Sequence, residues 1–159
     1  MGRILRLIAA LLAAPMPHYG ADPAGFAAVV HQSNPIHNLR FGDLLSMFEG
    51  ASREWPNGSR VVLVERDAGS APFRYLIGHL LNTTPGEYKR SLQSIEYRGD
   101  LPVSIKILNS DAVACQFVFN VPSAIAIVET GSLALPACGA VQALRIDGKL
   151  PGEEGYRLK

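Results

Sequence analysis

The chain has 159 residues, of which 48% are hydrophobic and 18% charged, and a formal net charge of +1. That length points to one domain, and that mix is enough to fill a single core. Acidic and basic residues are interspersed, which argues against the basic footprint of a nucleic-acid-binding protein, and no internal repeat or low-complexity tract is present.

At the start, Arg3 and Arg6 precede the apolar run Leu7 to Ala14, and Pro15 and Pro17 follow it. A basic start, a short apolar run and then small or breaking residues predict a secretory signal peptide. The run is well short of the roughly 20 apolar residues that span a bilayer. The competing reading is an N-terminal helix of the fold itself. Cleavage is placed after Ala21, with Ala24 the alternative. This divides the chain into a signal peptide, 1–21, and a mature domain, 22–159, which keeps 13 basic and 14 acidic residues. The expected location is periplasmic or secreted, with no membrane span once the signal is removed.

Phe26 to Val30 reads as a short apolar strand, ended by Gln32 to Pro35. Phe41, Leu44, Leu45 and Phe48 then fall on one helical face, with Gly50 as the stop. The turn at Trp55 to Gly58 leads into Val61 to Val64, a continuous apolar run that reads as a buried strand. After the polar loop Glu65 to Ser70, Pro72 opens a second helix with Phe73, Leu76, Ile77 and Leu80 on its face. Thr84 and Glu87 form a capping box around Pro85, and Tyr88, Leu92 and Ile95 continue that third helix. Val103 to Leu108 alternates as a strand does. Ser110 or Asp111 then caps a helix running to about Phe119. Ala124 to Val128 is another buried strand, and Val141 to Ile146 is the last, before the turn at Asp147-Gly148. Strands that alternate with helices predict a mixed or parallel sheet covered by helices, an α/β unit.

Cys115 and Cys138 are the two cysteines. An oxidising compartment permits a disulfide between them. Cys115 lies in an apolar helical run, which favours a buried free thiol at least as much. There is no CxxC and no His/Cys pairing at metal spacing.

Several segments, in order, resemble the phosphate-binding components of bacterial ABC importers, and especially a short group of exported proteins related to them. They are Asn34-Pro35, Leu39, Leu44, Leu45, Phe48-Glu49-Gly50 and Trp55-Pro56-Asn57-Gly58, then Val61 to Ser70, Ala124 to Val128, and Val141 to Tyr156. The resemblance covers roughly residues 28 to 158. It implies a single lobe of a type II periplasmic-binding-protein fold, a mixed sheet covered by helices, with the matched pieces corresponding mainly to the second lobe. Full members hold their ligand between two lobes. This mature chain is about half the length such a pair needs, so a two-walled cleft is not expected within it.

In the family, an Arg is followed four residues later by Ser-Gly-Thr at a helix start. Arg66 and Ser70 match, whereas Ala71 and Pro72 replace the Gly and Thr. A helix start offers free N–H groups and partial positive charge, an Arg adds a bidentate donor pair, and a Ser adds a hydroxyl. The expected ligand contacts are therefore Arg66, Gly69, Ser70 and Ala71, on phosphate or another small oxyanion. Pro72 removes one N–H and one hydroxyl from the family's set. The competing reading is that Ser70 only caps the helix and Arg66 pairs with a nearby carboxylate at the surface.

Other candidates carry less. His31, His37 and His79 lack a partner at ligand spacing and read as surface or loop residues, and no metal or cofactor is expected. Trp55 reads as a core or loop anchor rather than an exposed binding aromatic. No nucleophile elbow is present, and no catalytic residue is assigned. Two functions follow. One is a non-enzymatic solute-binding-protein-like domain that takes an oxyanion and works with an ABC transporter permease. The other is an interaction or accessory module of the envelope that kept the lobe fold and lost the ligand.

Overall fold

A computed structural model of the protein describes residues 25–98 and 103–159; the expected signal peptide lies outside the described residues. Its centre is a five-stranded mixed sheet. In chain order the strands and helices are β1 (Phe26–His31), β2 (Asn38–Leu39), α1 (Phe41–Phe48), β3 (Val62–Arg66), α2 (Ala71–Tyr75), α3 (Pro85–Tyr97), β4 (Ser104–Leu108), α4 (Asp111–Asn120), β5 (Ala124–Glu129), β6 (Val141–Ala143) and β7 (Arg145–Ile146). The sheet order is β4-β3-β5-β1-β6. β3 runs parallel to β4 and β5, and β1 runs antiparallel to β5 and β6.

The strand sequences explain the layers. Side chains alternate across a strand, so a strand covered on both faces must be apolar at successive positions. In β1, Ala28 and Val30 join one core cluster while Ala27 and Val29 join the other. In β5, Ile125 and Ile127 face the first cluster and Ala124, Ala126 and Val128 the second. The first cluster is the larger, built on Leu44, Phe48, Trp55, Leu76, Ile77 and Tyr88. The second lies under α4 through Ala114, Cys115 and Val118, and small residues on the strands let that helix sit close. The result is the expected α/β unit, helices on both faces of a mixed sheet.

Local chemistry sets the helix ends. Gly50 follows α1 at φ +74°, a left-handed position that glycine adopts without strain. The start of α1 is capped from far along the chain: the Asp147 carboxylate accepts the Phe41 N–H at 3.0 Å. Thr84 and Glu87 form the complete capping box at the start of α3. α2 passes into one wider turn, Leu76–Leu80, where the Leu81 N–H reaches the Leu76 carbonyl at 2.9 Å.

One expectation needs correction, and one open alternative is decided. The apolar run Val141 to Ile146 is not one strand: at the fully buried Leu144 the chain leaves the main sheet, and β7 pairs in parallel with the two-residue β2. The expected strand β4 forms at the sheet edge, where Val103 and Ile105 pack against the first cluster while Ile107 is 65% exposed. Cys115 is not a free thiol. It is bonded to Cys138 across a Cα separation of 5.0 Å, tying α4 to the short helical turn at Pro136–Cys138.

Candidate functional site

The parallel strands β4, β3 and β5 end side by side, with Arg66 in register with Leu108. Loops at the carboxyl ends of parallel strands are where open α/β sheets place their ligands. The expected anion turn is built there, directly after β3. Ser70 is the N-cap of α2: its hydroxyl accepts the Phe73 N–H at 3.2 Å and donates to the Asp67 carbonyl at 2.8 Å. The Gly69 carbonyl accepts from the Arg74 guanidinium. Ala71 is the first helical residue, and Pro72 follows it. Gly69, Ser70 and Ala71 are thus gathered at one helix start, with half-exposed Asp67 beside them.

The guanidinium of Arg66 has other commitments. Its Nε donates to the Leu108 carbonyl at 3.2 Å and one terminal nitrogen to the Asn109 carbonyl at 3.1 Å. That same nitrogen lies 3.4 Å from Asp67 Oδ1. The other terminal nitrogen donates to Asp111 Oδ1. The two side chains of this pair are 11% and 6% exposed, so the bridge lies inside the protein. Asp111 Oδ2 accepts the Glu129 N–H at 3.0 Å and the Ser132 hydroxyl at 2.6 Å. The pairing of Arg66 with a carboxylate was anticipated as a surface contact; here it is buried and shared with two further donors.

Sequence reasoning missed Asp111 as a site residue. Its position beside Ser110 made it look like half of a choice of caps. Ser110 alone makes the cap, through the Val113 N–H at 3.2 Å, and this frees Asp111 to turn toward Arg66.

The remaining candidates are placed as follows. His31 Nδ1 lies 2.7 Å from the Ser33 hydroxyl, His37 Nδ1 lies 3.3 Å from Gln142 Oε1, and His79 stacks on Tyr75. Among the described residues, no group of three or more His, Cys, Asp or Glu is placed to hold a metal ion. Trp55 is buried, and its indole N–H donates to the Ser123 carbonyl at 2.9 Å. A groove of about 560 Å³ lies between the end of α1 and α3, lined by Arg53, Thr83, Tyr88 and Arg98 among others; it includes none of the turn residues. No described helix is long and apolar enough to cross a membrane.

No protein-family model and no curated protein matches the chain. Solved structures do. An ABC-type phosphate transport receptor from Vibrio cholerae matches with a TM-score of 0.64 at 21% identity, over 84% of this chain and 53% of the receptor. A substrate-binding protein with bound phosphate from Clostridium perfringens matches with a TM-score of 0.65 at 18% identity, over 84% and 51%. PstS from Borrelia burgdorferi matches with a TM-score of 0.64 at 14% identity, over 80% and 49%. The chain spans about half the length of these structures. In fold, this chain is a periplasmic-binding-protein-like α/β unit of the kind found in phosphate ABC transporter substrate-binding proteins, of a size consistent with one lobe.

Proposed function

We propose that this chain is an exported, non-enzymatic solute-binding-protein-like domain in which the arginine of the anion turn has become an internal strut, and that it works as an interaction or accessory module of the bacterial envelope. The observation that supports this reading is the set of partners around Arg66: all three guanidinium nitrogens have acceptors within the protein. A solute anion would have to displace a buried carboxylate, and breaking such a pair typically costs about 3–5 kcal/mol. Asp67 adds like-charge repulsion at the mouth of the turn, and Pro72 subtracts a donor. Export is supported by the Cys115–Cys138 disulfide, which suits an oxidising compartment, and by the signal-like start of the sequence. For a partner, β4 is an edge strand of the sheet among the described residues and carries exposed Ile107.

A second reading keeps phosphate or a related small oxyanion as ligand, with Arg66, Gly69, Ser70 and Ala71 as contacts and an ABC permease as partner. It draws on the position of the Ser70 helix start at the carboxyl ends of the parallel strands and on the likeness to a structure with bound phosphate. Calorimetric titration with phosphate, sulfate and small carboxylates separates the two. The module reading expects millimolar or weaker binding, unchanged in Arg66→Ala, together with a protein captured by crosslinking in the native envelope. Micromolar phosphate binding that Arg66→Ala abolishes would overturn it and establish the second reading.

A further inference from the structure

The surroundings of the Asp111 carboxylate have the composition of an anion site. It meets the Arg66 guanidinium on one oxygen and, on the other, the Glu129 N–H and the Ser132 hydroxyl. These donors come from three separate places, the end of β3, the end of β5 and the short helical turn Thr130–Ala134 after it. Helix capping does not explain the arrangement, since Ser110 already caps α4. Nor does solvent, since the carboxylate is 6% exposed. Charge explains it. The other close acceptors of Arg66 are the neutral carbonyls of Leu108 and Asn109, and its second carboxylate, Asp67, is half exposed. Asp111 is therefore the buried counter-charge.

We propose that Arg66, the Glu129 amide and Ser132 form a pre-organised cradle for a planar carboxylate, which the chain fills with its own Asp111. Removing the carboxyl group while keeping Cβ, as Asp111→Ala does, leaves a cationic donor, a backbone donor and a hydroxyl around a space of carboxylate size. Formate matches that group in shape and charge; tetrahedral phosphate is bulkier. The cradle thus selects small monocarboxylates once its internal occupant is gone. This inference rests on the reading of Arg66 as an internal strut, but it has its own test, which does not involve phosphate binding by the wild type.

The test is thermal unfolding of purified Asp111→Ala in increasing sodium formate, against sodium chloride at matched ionic strength. A ligand that binds only the native state raises the midpoint saturably, here on the order of 10 °C at about a hundred times Kd. Wild type, whose cradle is occupied, shows no difference between the two salts. The double variant R66M/D111A, which has no guanidinium, shows none either. If Asp111→Ala is unfolded without added anion, recovery of near-ultraviolet circular dichroism in formate but not in chloride is the same positive result. The proposal is overturned if formate does no more than chloride for Asp111→Ala, or if it stabilises R66M/D111A equally. It is also overturned if Asp111→Ala stays unfolded in both salts while R66M/D111A folds.

Discussion

The hydroxyl of Tyr88 lies between two acceptors in the core, hydrogen-bonded to the Glu65 carboxyl and 3.1 Å from the Phe48 carbonyl oxygen. The Tyr88 O–H donates to the Glu65 carboxyl, and the Phe48 carbonyl oxygen is a second acceptor within its reach. Burial raises Glu65 above the usual carboxylate range, and the hydrogen bond donated by Tyr88 opposes that rise. Burial and the neighbouring Glu65 also hold the Tyr88 hydroxyl protonated.

This arrangement gives stability a pH dependence of defined sign. Above the ordinary carboxylate range the unfolded chain has released the Glu65 proton while the native state keeps it. Stability therefore falls as pH rises toward the native pKa, by about 1.4 kcal/mol for each pH unit in that window. Glu65→Gln is expected to remove this slope in urea unfolding from pH 4 to 8, keeping a neutral hydrogen-bonding group at the position. An unchanged slope would show that Glu65 is ionised in the native protein.

The Arg66–Asp111 pair predicts strong non-additivity. Removing one partner strands a charge in the interior, so Arg66→Met alone should cost about 3–5 kcal/mol. Combining it with Asp111→Asn should cost less than the sum of the two single changes, with a coupling of about 1–3 kcal/mol in a double-mutant cycle by urea denaturation. Additive costs would place the pair in solvent.

The disulfide closes the 23-residue separation between Cys115 and Cys138, and both cysteines are buried. By the loop-entropy argument its loss destabilises by about 3 kcal/mol. The double variant C115A/C138A is expected to lower the urea midpoint accordingly, and the wild type unfolded without reductant should show no thiol titre. A titre of two thiols in protein recovered from its native compartment would contradict the pairing.

Gly50→Ala tests the turn after α1. The new methyl would take a φ of +74° and would stand 2.8 Å from Val103 Cγ2 and 2.9 Å from Ile95 Cδ1. Left-handed backbone and overpacking each cost on the order of 1–3 kcal/mol, softened here because both neighbours are side-chain ends. A loss of about 2 kcal/mol in urea unfolding is expected, and no loss would mean that α3 is not seated against this turn.

The elements that could be read from sequence are those whose signal is local. The Phe41–Phe48 face, the Thr84–Glu87 box and the continuous apolar run of β5 each carry their own periodicity or cap. What escaped depends on distant partners. Nothing between Val141 and Ile146 marks the change of sheet at Leu144, which is set by β2 more than a hundred residues earlier. Ile107 alternates correctly, yet only the sheet order places it at an edge. The candidate site divides in the same way. Ser70 as a cap follows from its neighbours, whereas the commitment of Arg66 required Asp111, 45 positions away, to reach the same strand ends.

β1 lies inside the sheet between β5, its middle strand, and β6, and both partners come from the last third of the chain: Phe26 pairs with Glu129 and His31 with Val141. Synthesis delivers those partners late, and pairings so far apart in sequence close slowly. Until then the middle of the sheet has an empty lane, and the nascent polypeptide can still be drawn out as a thread. Under the proposed export, this lag would keep the sheet incomplete while the chain threads a translocation channel.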